Sequence, residues 1–264
     1  MTPPPSHTPS PDLALATPPE GDFGRAIAFT VRAWAAWSPG LETAADWRAA
    51  MGLAPDSGNT APAQPPLLLR RRVSKLGQPA LRAAWSFPES ASARSVFCSR
   101  HGEFGRTLSI LDALAARTEI SPADFTLSVH NALAGLLSIA RANRASHTAI
   151  AAGVESFGFG MLEALACLAE RPQEPILLVY FDEPLPAPYD MLEADAQAPI
   201  ALALLLGIGP VAEFTLATAP RPTTTQADPG AAEQFMRVLL GAQAEAVVVG
   251  EQLRWRWRRD GTAD

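Results

Sequence analysis

The chain has 264 residues, of which 48% are hydrophobic, and a formal net charge of −6. This length and composition suffice for a substantial core in one large domain, whereas the negative charge argues against a protein that binds nucleic acid by neutralising its phosphates. The longest apolar runs, such as residues 198–206, have roughly half of the twenty or so residues that a membrane helix needs. We therefore predict neither a nucleic-acid partner nor a membrane span.

The N-terminal segment is rich in proline and lacks the basic start and continuous apolar core of a secretory signal. We expect residues 1–22 to be a flexible tail, residues 23–260 to form one domain, and residues 55–66 to be a surface loop. The two cysteines, Cys98 and Cys167, occur in apolar surroundings. A disulfide framework is therefore not predicted, and a reducing cytoplasm is the expected location.

Strands and helices alternate along the rest of the chain. The predicted strands are residues 25–31, 95–98, 148–152, 175–181, 200–207 and 212–217. The predicted helices are one capped by Thr43 and those at residues 79–85, 104–117, 131–140, 157–169 and 231–240. Near-continuous hydrophobic strands separated by helices indicate an α/β fold with a central mixed sheet covered by helices on both faces.

Two segments carry further structural predictions. Residues 254–259 alternate basic residues with tryptophan, a pattern typical of an edge strand. Helix 157–169 contains small residues and has Glu163 as its one charge before Glu170. A helix that is apolar on all sides is buried on all sides, so we expect this helix to lie between layers.

The corner that precedes this helix is the main candidate for chemistry, because a strand, a sharp turn and a helix often present a nucleophile. Its residues are Gly153, Val154, Glu155 and Ser156. Val154 has no side-chain chemistry, whereas Glu155 and Ser156 are candidates for a base and a nucleophile. The structural alternative is that Ser156 caps the helix while Glu155 lies near the positive end of the helix dipole.

Several short motifs follow one another between residues 26 and 257. They are the strand and Ser-Pro-x-Gly turn at 29–40, Asp46-Trp47-Arg48, residues 97–103, the segment Asn131 to Gly135, and Glu163-Ala164. This order resembles the N-terminal half of the β-ketoacyl synthases, which have the thiolase-like fold. More specifically, residues 99–103, 128–131 and 182–186 resemble the chain-length-factor-like proteins of aryl polyene and related pigment pathways.

The resemblance implies that the catalytic residues of the synthases are missing. When the motifs are lined up, the position of the synthase cysteine falls on Val154, and no neighbouring residue is a cysteine. The second half of a complete synthase supplies two histidines, but no histidine follows Ser156 in this sequence. The resemblance thus implies a non-catalytic subunit that pairs with an active β-ketoacyl synthase in a heterodimer and shapes its acyl tunnel.

The resemblance also implies where a partner binds. Thr148, Ile150 and Ala152 are expected at an interface around a pseudo-twofold axis, and Phe125 is expected to reach the pocket of the partner. An acyl carrier protein is a second expected partner, for which the basic run at residues 70–72 is a candidate surface.

Two alternatives remain open at the level of sequence. One is a self-sufficient acyltransferase or hydrolase that uses Ser156 or Cys98, and the other is a scaffold that binds carrier proteins. No cofactor is predicted, because the glycine pairs at 158–160 and 207–209 lack the complete dinucleotide fingerprint. No metal is predicted either, because His101 and Glu103 are too few ligands for a site.

Overall fold

The computed structural model describes residues 23–54, 63–193, 197–209, 213–222, 228 and 230–260. The predicted tail at 1–22 and residues 55–62 of the predicted loop lie outside the described residues.

The described residues form eight strands and eight α-helices. The strands are β1 (Ile27–Trp37), β2 (Arg94–Cys98), β3 (His147–Ile150), β4 (Ile176–Asp182), β5 (Ile200–Gly207), β6 (Phe214–Pro220), β7 (Glu245–Val249) and β8 (Leu253–Arg259). The helices are α1 (Ala44–Ala50), α2 (Leu67–Arg70), α3 (Gly77–Trp85), α4 (Phe104–Ala116), α5 (Pro122–Leu127), α6 (Ala132–Arg141), α7 (Ser156–Glu170) and α8 (Ala231–Leu239). Short 3-10 helices span Pro88–Ala91 and Tyr189–Leu192.

All eight strands belong to one mixed sheet in the order β3-β2-β4-β5-β1-β6-β8-β7. The first three strands of this order are parallel, and every later pair is antiparallel. β3 therefore forms one edge of the sheet and β7 forms the other.

Helices cover both faces of the sheet, as predicted. One core layer joins the sheet to α7, α8 and Trp47 of α1, and the other joins it to α2, α3 and α6. Alternate residues of β4 enter the two layers: Leu178 faces α7, whereas Leu177 faces the opposite layer. Because both faces are covered, β4 is hydrophobic from Ile176 to Phe181.

The prediction that residues 254–259 form an edge strand is wrong. They form most of β8, which lies between β6 and β7. Trp255 and Trp257 are buried in the core layer of α7 and α8, whereas Arg254 and Arg256 lie over the ring of Phe23 on the other face. The alternation of the sequence reflects one covered face and one more open face, and the strand that forms the edge, β7, was not predicted.

The prediction that helix 157–169 is buried on all sides is also wrong. One side of α7 packs against the sheet through residues such as Phe157, Met161 and Leu168, which are fully buried. On the other side Phe159 and Leu162 are only half-buried, and Ala166 is exposed. Within the described residues, this apolar side of α7 is left partly uncovered.

Candidate functional site

The corner between β3 and α7 is a tight turn that is held by its own side chains. Gly153 has a φ of 56°, a left-handed conformation that glycine adopts without strain. The Ser156 hydroxyl donates to the Gly153 carbonyl at 2.7 Å and accepts from the Ala152 N–H at 2.9 Å. Ser156 is therefore the first residue of α7, and its hydroxyl stabilises the turn. The alternative that it caps the helix is wrong, because Glu155 occupies the N-cap position.

Glu155 is fully engaged with a distant turn. Its side chain is buried, with 2% of the residue exposed. The carboxylate accepts from the Gln252 and Leu253 N–H groups at 2.8 and 3.0 Å, and from the Trp255 indole N–H at 3.0 Å. A carboxylate with these three donors is not placed to serve as a base for Ser156. It binds the β7–β8 turn from the N-cap position of α7, so it lies at the positive end of the helix dipole, as the structural alternative expected.

Val154 stands where the resemblance places the synthase cysteine, and it lines a small cavity of about 20 Å³. Arg100, Tyr180, Asp182 and Glu193 contribute polar groups to the same cavity. This volume is close to that of a single water molecule. The cavity is therefore too small to hold an acyl group beside Val154.

Glu193, one of the charged residues of this cavity, is bonded to three neighbouring groups. Glu193 accepts from Arg100 Nη1 at 3.0 Å, from the Leu185 N–H at 2.7 Å, and lies 2.7 Å from His101 Nε2. Burial raises the pKa of Glu193, but these three neighbours together lower it below its ordinary value. The carboxylate thus stays ionised and holds the segment after β4 against the turn after β2.

Asp182 is the second buried carboxylate of the cavity. It accepts from the N–H groups of Arg100 and His101 at 3.2 and 3.4 Å. Burial raises its pKa to about 6, although His101 and Arg100 act in the opposite direction. Sequence reasoning identified neither Asp182 nor Glu193 as a polar centre, because their partners are distant along the chain.

Cys98, the other candidate nucleophile, is buried in the core and pairs across the sheet with Tyr180, which lines this cavity. Burial, followed by repulsion from Asp182, raises the pKa of the thiol far above its usual range. Its Sγ donates to the Val179 carbonyl at 3.7 Å. The thiolate is the reactive form of cysteine, so this geometry does not favour nucleophilic chemistry at Cys98.

Within the described part of the chain, the edge of the sheet at β3 presents unpaired backbone groups. The Ser95 N–H donates to the Ser146 carbonyl, and the Ser99 N–H donates to the Ile150 carbonyl. The backbone N–H and C=O groups of the even-numbered residues of this segment therefore face β2. In a strand, backbone groups of successive residues point to opposite sides. The N–H and C=O groups of His147 and Ala149 therefore point away from the sheet, toward the open edge.

An open cavity of about 640 Å³ lies beside this edge, between the end of β3 and the uncovered side of α7. Two residues of the predicted interface, Ile150 and Ala152, line it. The third, Thr148, lies on the same face of β3, because Val96 and Cys98, which pair with Thr148 and Ile150, belong to the core layer of α7. The remaining lining residues are Ala151, Phe159, Leu162, Glu163, Ala166 and Gln252.

Phe125 is not part of this cavity. It lies on α5 and is 68% exposed. Neither α4 nor α5 buries any residue, although α4 carries Leu111 and Leu114 on its surface. We call the segment 104–127 the helical arm. Arg106 joins its two helices through a 2.6 Å bond to Asp124.

The described residues contain no group of three or more His, Cys, Asp and Glu side chains that is arranged to hold a metal ion. No helix among them has the length and apolar character required to cross a membrane.

Comparisons with known proteins agree with the fold. A family described as "Beta-ketoacyl synthase, N-terminal domain" matches residues 34–258. A chain in the structure of the ketosynthase ApeO in complex with its chain length factor ApeC, from Xenorhabdus doucetiae, is 29% identical, with a TM-score of 0.75; the match covers 88% of this chain and 99% of that chain.

The ishigamide ketosynthase/chain length factor is 15% identical with a TM-score of 0.56, over 83% of this chain and 74% of that chain, which shows a shared fold. No curated protein matches the sequence. The fold is thus the mixed α/β thiolase-like fold predicted from the sequence. Because the family match covers most of the chain, this protein belongs to the family of β-ketoacyl synthase N-terminal domains.

Proposed function

We propose that this chain is a non-catalytic, chain-length-factor-like subunit, which pairs with an active β-ketoacyl synthase and shapes its acyl tunnel in biosynthesis of the aryl polyene type. The state of the corner supports the absence of catalysis. Val154 has no nucleophilic atom, Ser156 is bonded to the backbone, and Glu155 is bonded to the β7–β8 turn. The neighbouring cavity has no room for an acyl group.

The observation that carries the proposal is the open edge at β3. A strand with unpaired backbone groups and no Asp, Glu, Lys or Arg is a template for pairing with another chain. Half-buried apolar residues of α7 lie beside this edge, and the helical arm, which buries no residue, presents a second exposed surface. An antiparallel partner strand at β3, related by an approximate two-fold axis, would cover the surface of α7 beside this edge.

Phe125 is the residue of the arm that we propose as the length-determining group. Its ring projects from the chain, where it is available to close the end of a pocket in the partner. A buried methylene stabilises a bound acyl chain by about 0.8 kcal/mol, so a ring that blocks a further methylene changes the length that binds best. The exposed side chains of Arg71 and Arg72 remain available for an acidic acyl carrier protein.

The test uses proline at the two edges of the same sheet. The protein is co-expressed with the β-ketoacyl synthase encoded in the same gene cluster, and the complex is measured by light scattering. Ala149→Pro removes an N–H that points to the open edge and leaves the ladder to β2 intact. We expect this variant to lose the one-to-one complex, with a dissociation constant raised by about a hundredfold or more.

Val247→Pro is the matched control at the opposite edge. The Arg259 N–H donates to the Ala244 carbonyl, so the backbone N–H and C=O groups of residues 246 and 248 face β8. The backbone groups of Val247 therefore point away from the sheet. We expect this variant to bind the synthase normally. Equal binding by the wild type and Ala149→Pro, or condensation by this chain after the cysteine of the synthase is replaced, would contradict the proposal.

A further inference from the structure

One charged side chain faces the open cavity beside β3. Glu163 is half-buried, and every other residue that lines the cavity is uncharged. Among the described residues, its nearest polar contact is with the Cys167 thiol, at 4.0 Å, which is a weak interaction. Within the described part of the chain, no Lys, Arg or His side chain forms an ion pair with Glu163.

Covering this cavity changes the environment of the carboxylate. A partner that packs on Ile150, Phe159 and Leu162 removes water from the same surface that holds Glu163. Burial of an ionised carboxylate is unfavourable unless an opposite charge or hydrogen-bond donors compensate it. Gln252 is the other polar residue at the cavity, and it is a neutral amide. No cation lines the cavity, so a cationic group that compensates Glu163 would come from the covering chain.

The position of Glu163 also bears on the identity of that chain. α7 runs from Ser156 to Glu170, so Glu163 is its central residue, and it lines the same cavity as Ile150 at the end of β3. In a symmetric pair of copies, the same surface patch meets itself. Two copies joined through β3 would therefore place both Glu163 carboxylates in one shared apolar interface whose lining contains no cation, which is an unfavourable arrangement.

We propose that Glu163 selects the partner by charge: it favours a chain that places an arginine or lysine opposite the middle of α7, and it disfavours the pairing of two copies of this chain. This inference rests on the proposed pairing at β3. It extends that proposal by naming the chemistry of the partner surface, and it supplies a repulsive element of the kind that specific interfaces use to reject a wrong partner.

The first experiment measures binding to the β-ketoacyl synthase of the same gene cluster by titration calorimetry at low and high salt. We expect Glu163→Gln to weaken binding by about tenfold and Glu163→Lys to weaken it further, with a smaller dependence on salt for the glutamine variant. Glu233→Gln, which neutralises an exposed carboxylate on α8, is the matched control and should bind normally. Binding of Glu163→Lys with wild-type affinity would overturn the inference. If Ala149→Pro still loses binding in that case, the proposed pairing at β3 stands without a role for Glu163.

The second experiment uses this chain alone and does not depend on a synthase. Wild-type protein, Glu163→Lys and an equal mixture of the two are examined by analytical ultracentrifugation, after circular dichroism has shown that both are folded. We expect the mixture to associate at least about tenfold more tightly than either protein alone, because each Glu163 then faces a lysine. Association of the mixture that is no stronger than that of the wild type would overturn the inference.

Discussion

The two edges of the sheet differ in how this chain completes them. At the β7 edge, Ala246 and Val248 are buried against α8, the Val249 carbonyl accepts from the Asp228 N–H at 2.7 Å, and Glu245 adds a charge that protects an edge. At the β3 edge, His147 is exposed and the other three residues are only partly buried. None of the four is an Asp, Glu, Lys or Arg.

The difference shows that contacts within the chain stabilise the β7 edge, whereas the β3 edge is left exposed. The β7–β8 hairpin is fixed by the carboxylate of Glu155, which reaches it from the start of α7. The surfaces around β3, in contrast, are apolar and have few contacts within the chain. We therefore expect substitutions near the hairpin to change the stability of the isolated protein, and substitutions on the arm or the β3 edge to change its assembly.

The largest effect on stability is expected for Glu155→Ala. The substitution leaves the N–H groups of Gln252, Leu253 and Trp255 without their acceptor in a buried site. Because buried donors without partners are costly, the free energy of unfolding should fall by about 3 to 5 kcal/mol. Urea denaturation followed by tryptophan fluorescence measures the change.

Glu251→Ala is the control for this prediction, because Glu251 is exposed in the same turn. Its free energy of unfolding should stay within about 0.5 kcal/mol of the wild type. If both substitutions have the same small effect, Glu155 does not fix the hairpin, and the contrast between the two edges loses its basis.

The sequence predicted the strands and helices themselves better than the order of the strands in the sheet. Strand 200–207 was predicted with the bounds that β5 has, and Thr43 caps α1 as expected, with Asp46 completing a capping box. These features depend on local patterns. Whether a strand lies at an edge depends on which other strands form, and β7 was missed because its residues, Glu245-Ala-Val-Val-Val249, form a short run in which Val247 is exposed.

The candidate site was predicted in the same partial way. The position of the corner and the replacement of a nucleophile by Val154 follow from motif order alone. The partners of Glu155 lie almost one hundred residues away along the chain, so no local pattern indicates that this carboxylate binds a turn. For helix 157–169, composition gave the apolar character, but the uncovered side of α7 follows from its position beside an edge strand.

A second, intermediate effect concerns the cavity behind Val154. Burial raises the pKa of Asp182 to about 6 in the folded protein, above its ordinary value of 3.8. Between these two values the folded state holds more protons than the unfolded state, so the contribution of Asp182 to stability falls as pH rises from about 4 to about 6. Above that range the ionised, buried carboxylate should destabilise the fold by about 1 to 3 kcal/mol.

Asp182→Asn tests this sign. The amide is neutral at every pH, so the stability of the variant relative to the wild type should increase between pH 4 and pH 7. Urea denaturation of both proteins at several pH values measures the difference. A difference that does not vary with pH would show that burial does not control this carboxylate, and that water reaches it through the cavity beside Val154.

The smallest effect on stability is expected for Phe125→Ala, because Phe125 lies on the exposed helical arm. Because the ring is 68% exposed, its loss should change the free energy of unfolding of the isolated chain by less than about 0.5 kcal/mol. Leu133→Ala on α6, where the side chain is 1% exposed, should cost about 2 to 5 kcal/mol. In the reconstituted complex with the synthase, Phe125→Ala should shift the products toward longer chains, as measured by mass spectrometry. An unchanged product distribution from an intact complex would remove Phe125 from the tunnel and leave the arm as a binding surface only.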